Sequence, residues 1–186
     1  IVSNNWTVNC NGKYKLGDRD FHCWNTAGHG NVNLYKAIHQ SCNIYFYQLI
    51  QKMSLSEWKH LAEGFGFGSI SGIDLAGEKK GNIPDRAYLN VKYGKFGWGT
   101  GNLLNFIIGQ GDILVTPIQI AQMMNIIATR GNTYAPHLLL DKSPKKVTLS
   151  LKPDTWDLLQ HSTWEVVNHK NGTGKLARIV GADIHG

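Results

Sequence analysis

The stretch GHGNVNLYKAIHQSCNIYFYQL, residues 28–49, predicts two short helices separated by a break. Its apolar residues recur at helical spacing from Asn33 onward and again after Ser41. The break at Ser41 places a Ser-x-Asn tripeptide between the two helices, with the thiol of Cys42 in the middle position. In the simplest interpretation, the serine and the asparagine cap the second helix.

Composition places the chain among globular proteins. Its 186 residues suffice for one domain with a real core, and 42% hydrophobic with 10% aromatic residues argue against disorder. No apolar run approaches the roughly eighteen residues of a membrane span, and no signal-peptide pattern is present. The net charge of +6 comes from scattered Lys and Arg residues without a nucleic-acid motif. We therefore expect a solvated basic surface and no nucleic-acid partner.

Strand and loop signals flank the two helices. Residues 6–16, WTVNCNGKYKL, alternate in hydrophobicity and contain Asn11-Gly12, the strongest short hairpin signal, so a hairpin is predicted with its turn there. Residues 17–31 indicate a tight loop. The glycine-dense residues 64–105 indicate long surface loops with short extended pieces.

Three further helices are indicated by capping residues and helical spacing. Ser54 and Glu57 form a capping-box pattern for one of them. A second begins at Pro117 and is ended by Gly131, and a third begins at Pro153. With the short strands, these helices predict an α+β fold dominated by helices.

Several long motifs occur in a characteristic order. They are GHGNVNLYKAIHQSCNIYFYQL at 28–49, FGFGSISGIDLAGEKKGNIPD at 65–85, IGQGDILVTPIQIAQMMNIIATRG at 108–131, PHLL at 136–139 and NGTGKLARI at 171–179. This series resembles the elongation-type class B peptidoglycan D,D-transpeptidases of bacteria, the penicillin-binding protein 2 family. The resemblance is close from about Gly12 to Leu140. It implies a partial penicillin-binding-protein and β-lactamase-like transpeptidase domain over residues 1–186.

The resemblance also implies a reaction and its partners. In the family, a nucleophilic serine attacks a D-Ala-D-Ala stem peptide of peptidoglycan and a neighbouring strand's amine resolves the acyl-enzyme; β-lactams acylate the same serine. Ser41 would be the proton-relay hydroxyl and Asn43 the contact to the substrate amide. Tyr93, Trp98 and Thr100 are further candidate substrate contacts, although a glycine-rich packing loop is an equal alternative for them. The implied location is periplasmic, with an inner-membrane anchor upstream of this chain and elongation-complex proteins as partners.

Two departures from the family pattern bear on activity. The family's Ser-x-x-Lys precedes Ser-x-Asn, and nothing before Ser41 matches it. Downstream, Ser56–Lys59 and Ser143–Lys146 fit the spacing but are interpreted as accidental. The Lys-Thr-Gly motif, expected just after Gly186, is also absent. An activated nucleophile and its base act as a unit, so we expect this polypeptide to be inactive alone and to lack most of the family's central sheet. The start at Ile1 suggests a chain excised from a longer one.

All three cysteines lie in the first 42 residues, and with one histidine they match the ligands of a closed structural zinc site. The four candidate ligands are Cys10, Cys23, His29 and Cys42. A Cys10–Cys23 disulfide and unlinked thiols are alternatives, and His22 is a rival ligand. Some members of the family carry a zinc site of Asp, His and Cys near this position, and His29 and Cys42 coincide with that pattern.

These observations divide the chain into a zinc-binding hairpin and loop region with the Ser-x-Asn element, residues 1–43, and a helical and loop region, residues 44–186. More than one function stays open. The leading interpretation is a segment of a transpeptidase, and the second is a non-catalytic, zinc-stabilised interaction module. A penicillin-recognising hydrolase or sensor on the same fold fits the long glycine loops less well.

Overall fold

The computed structural model describes residues 2–3, 5–141 and 143–185, which form two compact units. The first unit comprises Ile1–Ser54, Thr100–Ile108 and Asp157–Gly186, and the second comprises Leu55–Gly99 and Gly109–Trp156. In chain order the elements are β1 Val8–Cys10, β2 Lys13–Leu16, β3 Arg19–His22, β4 Gly30–Val32, α1 Leu34–His39, α2 Asn43–Ile50, α3 Leu55–Gly64, α4 Arg86–Tyr93, α5 Thr100–Ile107, α6 Pro117–Ala128, β5 Asn132–Tyr134, β6 Lys146–Thr148, α7 Pro153–Asn168 and a 3-10 helix, Lys175–Ala177.

The strands of the first unit pair differently from the prediction. β1 pairs antiparallel with β4, with Cys10 opposite Gly30, whereas β2 pairs with β3 around a two-residue connection that begins at Gly17. The predicted hairpin with its turn at Asn11-Gly12 is therefore wrong, and residues 17–31, predicted to be a loop, contain β3 and the first two residues of β4. The physical reason lies at Gly12. A Cβ there would stand 2.2 Å from the carbonyl oxygen of Thr26, so Gly12 permits a close backbone approach and not a hairpin turn.

Helix α2 forms the centre of the first unit. Its residues Ile44, Tyr45 and Ile50 are almost completely buried, and the helix packs against β1, α1 and α5. The Tyr45 ring lies 4.7 Å from the Trp6 ring, centroid to centroid. Burial of aromatic and branched side chains on this scale contributes the main favourable free energy of such a small unit. The two helices predicted around Ser41 are both present.

Two helices of the glycine-dense region were not predicted. Residues 64–105 were expected to be loops, yet α4 lies inside this range and α5 begins in it. Asp85 caps α4 by accepting a hydrogen bond from the backbone N–H of Tyr88. Of the apolar side chains on α4, Leu89 is buried and Val91 is 90% exposed. Such a weak apolar pattern is easily outweighed by flanking glycines in a sequence-based prediction.

The second unit is organised around α6, which the sequence predicted. Pro117 is at the start of the helix, and Thr116 and Gln119 form a complete capping box. The buried Gln119 side chain also donates to the carbonyl oxygens of Ser69 and Lys80, at 2.7 and 3.0 Å. One amide group therefore satisfies the helix start and ties two turns of the preceding loop to it.

The α+β, helix-dominated fold prediction is confirmed. In the described part of the chain, seven α-helices accompany six strands of three or four residues, which form three two-stranded sheets. None of the described helices combines the length and the hydropathy that a membrane crossing requires.

Candidate functional site

Four potential metal ligands converge in the first unit, each delivered by a different element. Cys10 ends β1, Cys23 directly follows β3, His29 directly precedes β4, and Cys42 is the residue before α2. Their ligand atoms all lie within 4.8 Å of one another. The Sγ atoms of Cys10 and Cys23 are each 3.5 Å from Nδ1 of His29. Strand pairing therefore brings together ligands that are far apart in the sequence.

The turn before His29 depends on glycine. Gly28 has φ +84°, and a Cβ on it would stand 2.3 Å from the carbonyl oxygen of Cys10. Only glycine allows this approach without displacing the backbone. The close packing brings the ring of His29 beside the thiol of Cys10.

Burial controls the protonation of the ligands. The three cysteines are at most 2% exposed. The pKa of the Cys42 thiol is raised to about 12, chiefly by burial; the backbone hydrogen bond at Tyr45 opposes this rise, and the neighbouring Cys10 and Cys23 contribute to it. Burial, together with the charge of Lys36, lowers the pKa of His29. Buried thiols beside a neutral imidazole do not readily ionise to thiolates. A bound cation would compensate the negative charge of the thiolates.

The donor set and its dimensions fit a zinc ion. Zinc–sulfur bonds of about 2.3 Å and zinc–nitrogen bonds of about 2.0 Å place tetrahedral ligands roughly 3.5–3.8 Å apart. The sulfur–nitrogen distances of 3.5 Å match this separation. Nδ1 of His29 is the ring nitrogen that lies 3.5 Å from both sulfurs, whereas its Nε2 is buried without a hydrogen-bond partner among the described residues.

Of the alternatives to a zinc site, the structure contains neither the Cys10–Cys23 disulfide nor His22 as a ligand, whereas unlinked thiols stay an alternative. All three thiols, which lie in the described part of the chain, are free of disulfides. His22 is not a member of the ligand cluster. Because side chains alternate along β3, Phe21 and Cys23 are buried whereas His22 is exposed.

The Ser-x-Asn turn lies directly beside this cluster. Ser41 has φ +52°, an uncommon conformation for a non-glycine residue, and its side chain is exposed while that of Cys42 is buried. Ser41 lines a cavity of about 720 Å³, whose other lining residues are Trp24, Asn25, His29, Gln40, Lys170, Asn171, Gly172, Thr173 and Lys175. Among the described residues no carboxylate lines this cavity, which two lysines make electropositive.

The two polar residues of the tripeptide have different environments. The Oγ of Ser41 lies 3.2 Å from Oγ1 of Thr173. Asn43 is the first residue of α2 and donates from Nδ2 to the carbonyl oxygen of His22, at 3.1 Å. Asn43 is not among the residues that line the cavity. The helix-capping interpretation does not apply, because Cys42 holds the N-cap position and makes no side-chain capping bond.

Two of the three other predicted substrate contacts, Tyr93 and Trp98, form hydrogen bonds with nearby side chains. Within the second unit, the Tyr93 hydroxyl donates to Asp112, and Nε1 of Trp98 donates to Asn90 at 2.8 Å. Thr100 begins α5, which belongs to the first unit. The cavity beside Ser41 is not lined by Tyr93, Trp98 or Thr100.

The downstream Ser-x-x-Lys pattern at Ser56–Lys59 has a structural explanation. Nζ of Lys59 lies 2.7 Å from Asp85 and 3.6 Å from Glu63. The hydrogen bond to Asp85 is the main reason that the pKa of Lys59 is raised. A lysine that remains protonated is unsuited to act as a general base, in agreement with the interpretation of this match as accidental.

Sequence reasoning missed the residues that complete the cavity wall. Thr173 and Trp24 contact the Ser41 turn from positions 132 residues after it and 17 residues before it. The only sequence signal for Thr173 is its place in NGTGKLARI, one of the motifs that carried the family resemblance.

Comparisons with known proteins show the family to which the chain is similar. The family model of the penicillin-binding protein transpeptidase domain matches residues 1–186. The peptidoglycan D,D-transpeptidase MrdA of Haemophilus influenzae is 32% identical over 192 residues, which cover 95% of this chain and 29% of the relative. The chain therefore spans less than a third of the length of that curated relative.

Solved structures show the same fold. A penicillin-binding protein, PBP2, of Helicobacter pylori matches with a TM-score of 0.87 and 31% identity, covering 99% of this chain and 35% of that chain. A structure of PBP2 from Helicobacter pylori in complex with MreC matches with a TM-score of 0.84 and 32% identity, covering 93% of this chain and 33% of that chain.

Proposed function

Because the chain belongs to the family of penicillin-binding protein transpeptidase domains, we propose that it forms the Ser-x-Asn part of a peptidoglycan D,D-transpeptidase. The observation that carries this proposal is the exposed Ser41 hydroxyl, held beside an electropositive cavity in the turn between α1 and α2. The substrates would be D-Ala-D-Ala stem peptides, and β-lactams would acylate the same enzyme. Relatives named peptidoglycan D,D-transpeptidases support this substrate class.

Each residue of the turn has a separate role in the proposal. The Ser41 hydroxyl transfers a proton to the leaving amine of the stem peptide, which requires that it face the cavity. The Asn43 carboxamide holds the substrate amide, and it must exchange its hydrogen bond to the His22 carbonyl for one to the substrate. No Ser-x-x-Lys precedes Ser41 among these residues, which cover 29% of the Haemophilus influenzae relative, and the proposal assigns the nucleophilic serine and its lysine to sequence outside residues 1–186.

Labelling with a fluorescent penicillin tests the function. The isolated chain is expected to remain unlabelled. The longer protein that carries it is expected to be labelled at a serine outside residues 1–186, at a rate at least about 100-fold lower in the Ser41→Ala variant, because general acid catalysis contributes on that scale. Covalent labelling of the isolated chain, or unchanged labelling of Ser41→Ala, would contradict the proposal.

We further propose that the four-ligand cluster binds one structural zinc ion. The support is the Cys3His donor set, the burial of all three thiols and the 3.5 Å sulfur–nitrogen distances. When bound, the ion would keep the three sulfurs as thiolates. Cys42 would then tie the Ser-x-Asn turn to the strands that carry Cys10 and Cys23.

Elemental analysis of dialysed protein tests the zinc proposal. About one zinc per chain is expected, and Cys23→Ser is expected to lose it, because three ligands remain and one of the thiolates is gone. His22→Gln is the matched control, since His22 adjoins Cys23 and lies outside the cluster. Metal-free wild-type protein, or equal zinc loss in the control, would overturn the assignment.

Location and partners extend the proposal to the whole protein. We infer a periplasmic domain held at the inner membrane by an anchor outside this chain, because its substrate is cell-wall peptidoglycan. Elongation-complex proteins are the expected partners, on the basis of the relative whose structure is a complex with MreC. No nucleic-acid partner is expected.

A zinc-stabilised, non-catalytic module is the second candidate function. The closed and buried Cys3His cluster favours it, since such sites stabilise small domains without taking part in chemistry. The penicillin experiment separates the two candidates, because a non-catalytic module leaves the longer protein unlabelled.

A further inference from the structure

The C-terminal end of α1 is held from two sides by residues distant in sequence. The last carbonyl groups of a helix have no partner within the helix. Here the His39 carbonyl accepts from the backbone N–H of Thr173 at 3.0 Å, and the Gln40 carbonyl accepts from Nε1 of Trp24 at 2.8 Å. The residue that follows these two carbonyls is Ser41.

A buried pair fixes the same end of the helix to α7. His39 is 5% exposed, and its Nδ1 lies 3.0 Å from Oε2 of Glu165. The Gln40 amide nitrogen lies 3.2 Å from the other ring nitrogen. With the proton on Nδ1, the imidazole donates to the carboxylate and accepts from the amide, so both ring nitrogens are satisfied. The end of α1 therefore has little freedom relative to α7.

The turn after α7 is equally constrained. The backbone N–H of Gly172 donates to the His169 carbonyl at 2.8 Å, and that of Gly174 donates to the Val166 carbonyl at 2.9 Å. A Cβ on Gly172 would stand 2.3 Å from the Val166 carbonyl oxygen. Thr173 is thus presented by a tight turn packed on the last residues of α7, and not by a free loop.

Thr173 makes two contacts with the end of α1 and the Ser41 turn, one from its backbone and one from its hydroxyl. The backbone contact goes to His39, and the hydroxyl lies 3.2 Å from the Ser41 hydroxyl. If Thr173 donates, Ser41 Oγ is an acceptor in this bond and its own hydrogen is free to face the cavity that both residues line. A serine hydroxyl otherwise rotates among several directions.

We propose that Thr173 is a positioning residue that directs the Ser41 hydroxyl toward the substrate in the cavity. This inference rests on the proposed function of Ser41. The geometry that carries it is the combined backbone and hydroxyl contact from a rigid turn, opposite the buried cluster that holds Cys42. Thr173 acts through Ser41 and not on the substrate itself.

Acylation kinetics of the longer, zinc-loaded protein with a fluorescent penicillin test the inference. Thr173→Val keeps the shape of the side chain and removes the hydroxyl. It is expected to lower the first-order acylation constant about 2- to 10-fold, the range for one neutral hydrogen bond, with an unchanged dissociation constant for the non-covalent complex. Thr173→Ser is expected to restore the rate. Thr163→Val is the matched control, because its hydroxyl donates to the Gln160 carbonyl on α7 and lies 3.1 Å from Nδ1 of His185.

The double variant separates positioning from direct contact. If Thr173 acts only through Ser41, then Thr173→Val has no further effect on acylation in a Ser41→Ala background. Additive losses in the double variant, a wild-type rate for Thr173→Val, or failure of Thr173→Ser to restore the rate would each overturn the inference.

The wild-type protein and the Ser41→Ala variant test the proposed function separately from the role of Thr173. If wild-type protein is not labelled, or if Ser41→Ala is labelled at the wild-type rate, both proposals fall together. If wild type and Ser41→Ala behave as expected while Thr173→Val is unaffected, only the positioning role is lost. Thermal melting and zinc content of each variant show whether a lower rate reflects misfolding.

Discussion

Ser41, Cys42 and Asn43 are consecutive, yet their side chains enter three environments. Ser41 faces the cavity, Cys42 enters the ligand cluster, and Asn43 bonds the strand residue His22. The cause is the end of α1, where the N–H of Cys42 bonds the Ala37 carbonyl and the N–H of Ser41 bonds the Ile38 carbonyl. This is the Schellman pattern, whose left-handed residue is commonly glycine and is here Ser41.

The Ser41→Gly variant is expected to be more stable than the Ser41→Ala variant. Both variants remove the hydroxyl, but alanine keeps the cost of a left-handed L-residue whereas glycine does not. Chemical denaturation of the zinc-loaded protein should give Ser41→Gly a free energy of unfolding about 1 kcal/mol above that of Ser41→Ala. Equal stabilities would show that the φ of +52° carries no strain. In both variants penicillin labelling should be slow, so stability and function separate at this residue.

At the scale of elements, α1 and α7 are joined by the His39–Glu165 pair. Burial lowers the pKa of His39, the Glu165 hydrogen bond and charge oppose this shift, and His169, whose ring lies 4.2 Å away, adds to it. His161 also approaches Glu165, at 3.6 Å. Because the net direction is downward, His39 is neutral in the folded protein at neutral pH.

The protein is expected to lose stability as the pH falls below about 6.5, the ordinary pKa of histidine. Between that value and the lower folded pKa, the unfolded chain binds more protons, so acid favours unfolding. Asparagine can donate from a position similar to Nδ1 without titrating. His39→Asn should therefore show a flatter decline in denaturation midpoint between pH 7.5 and 5.5. Parallel curves for the two proteins would contradict this assignment.

Element prediction succeeded where the chain carries local signals. Thr116 and Pro117 start α6 as predicted, because a capping box and a proline act within one turn of helix. It failed at Asn11-Gly12, where a local hairpin signal was outweighed by pairing of Cys10 with Gly30. Such pairing depends on residues twenty positions apart, which no local pattern describes.

At the scale of the whole molecule, the two units use different means of stabilisation. The first has short strands around a buried thiol cluster, with α2 as its core. The second has no such cluster among its described residues and relies on packing and on polar side chains such as Gln119. Stability is therefore expected to respond to metal in one unit more than in the other.

Metal removal is expected to act selectively. If the cluster binds zinc as proposed, amide hydrogen exchange should accelerate after chelation in β1, β3, β4 and the start of α2, because their ligands would lose the ion that holds them together. Exchange within α6 should change far less. Hydrogen exchange with mass spectrometry, run on zinc-loaded and chelated protein, measures both. Uniform acceleration across the chain, or none, would show that the cluster does not hold the first unit.

The sequence by itself determined the helices around Ser41 and the helix-dominated class, because these depend on local spacing, and it supplied the four candidate ligands with His22 as a rival, because few residue types bind zinc. Only the tertiary structure decided which strands pair, that His22 is excluded from the cluster, and that Thr173 and Glu165 hold the Ser41 turn. Glu165 lies 126 residues from His39 and Thr173 lies 132 from Ser41. A contact across such a separation arises from the packing of α7 and its turn against α1, and local sequence patterns carry no information about that packing.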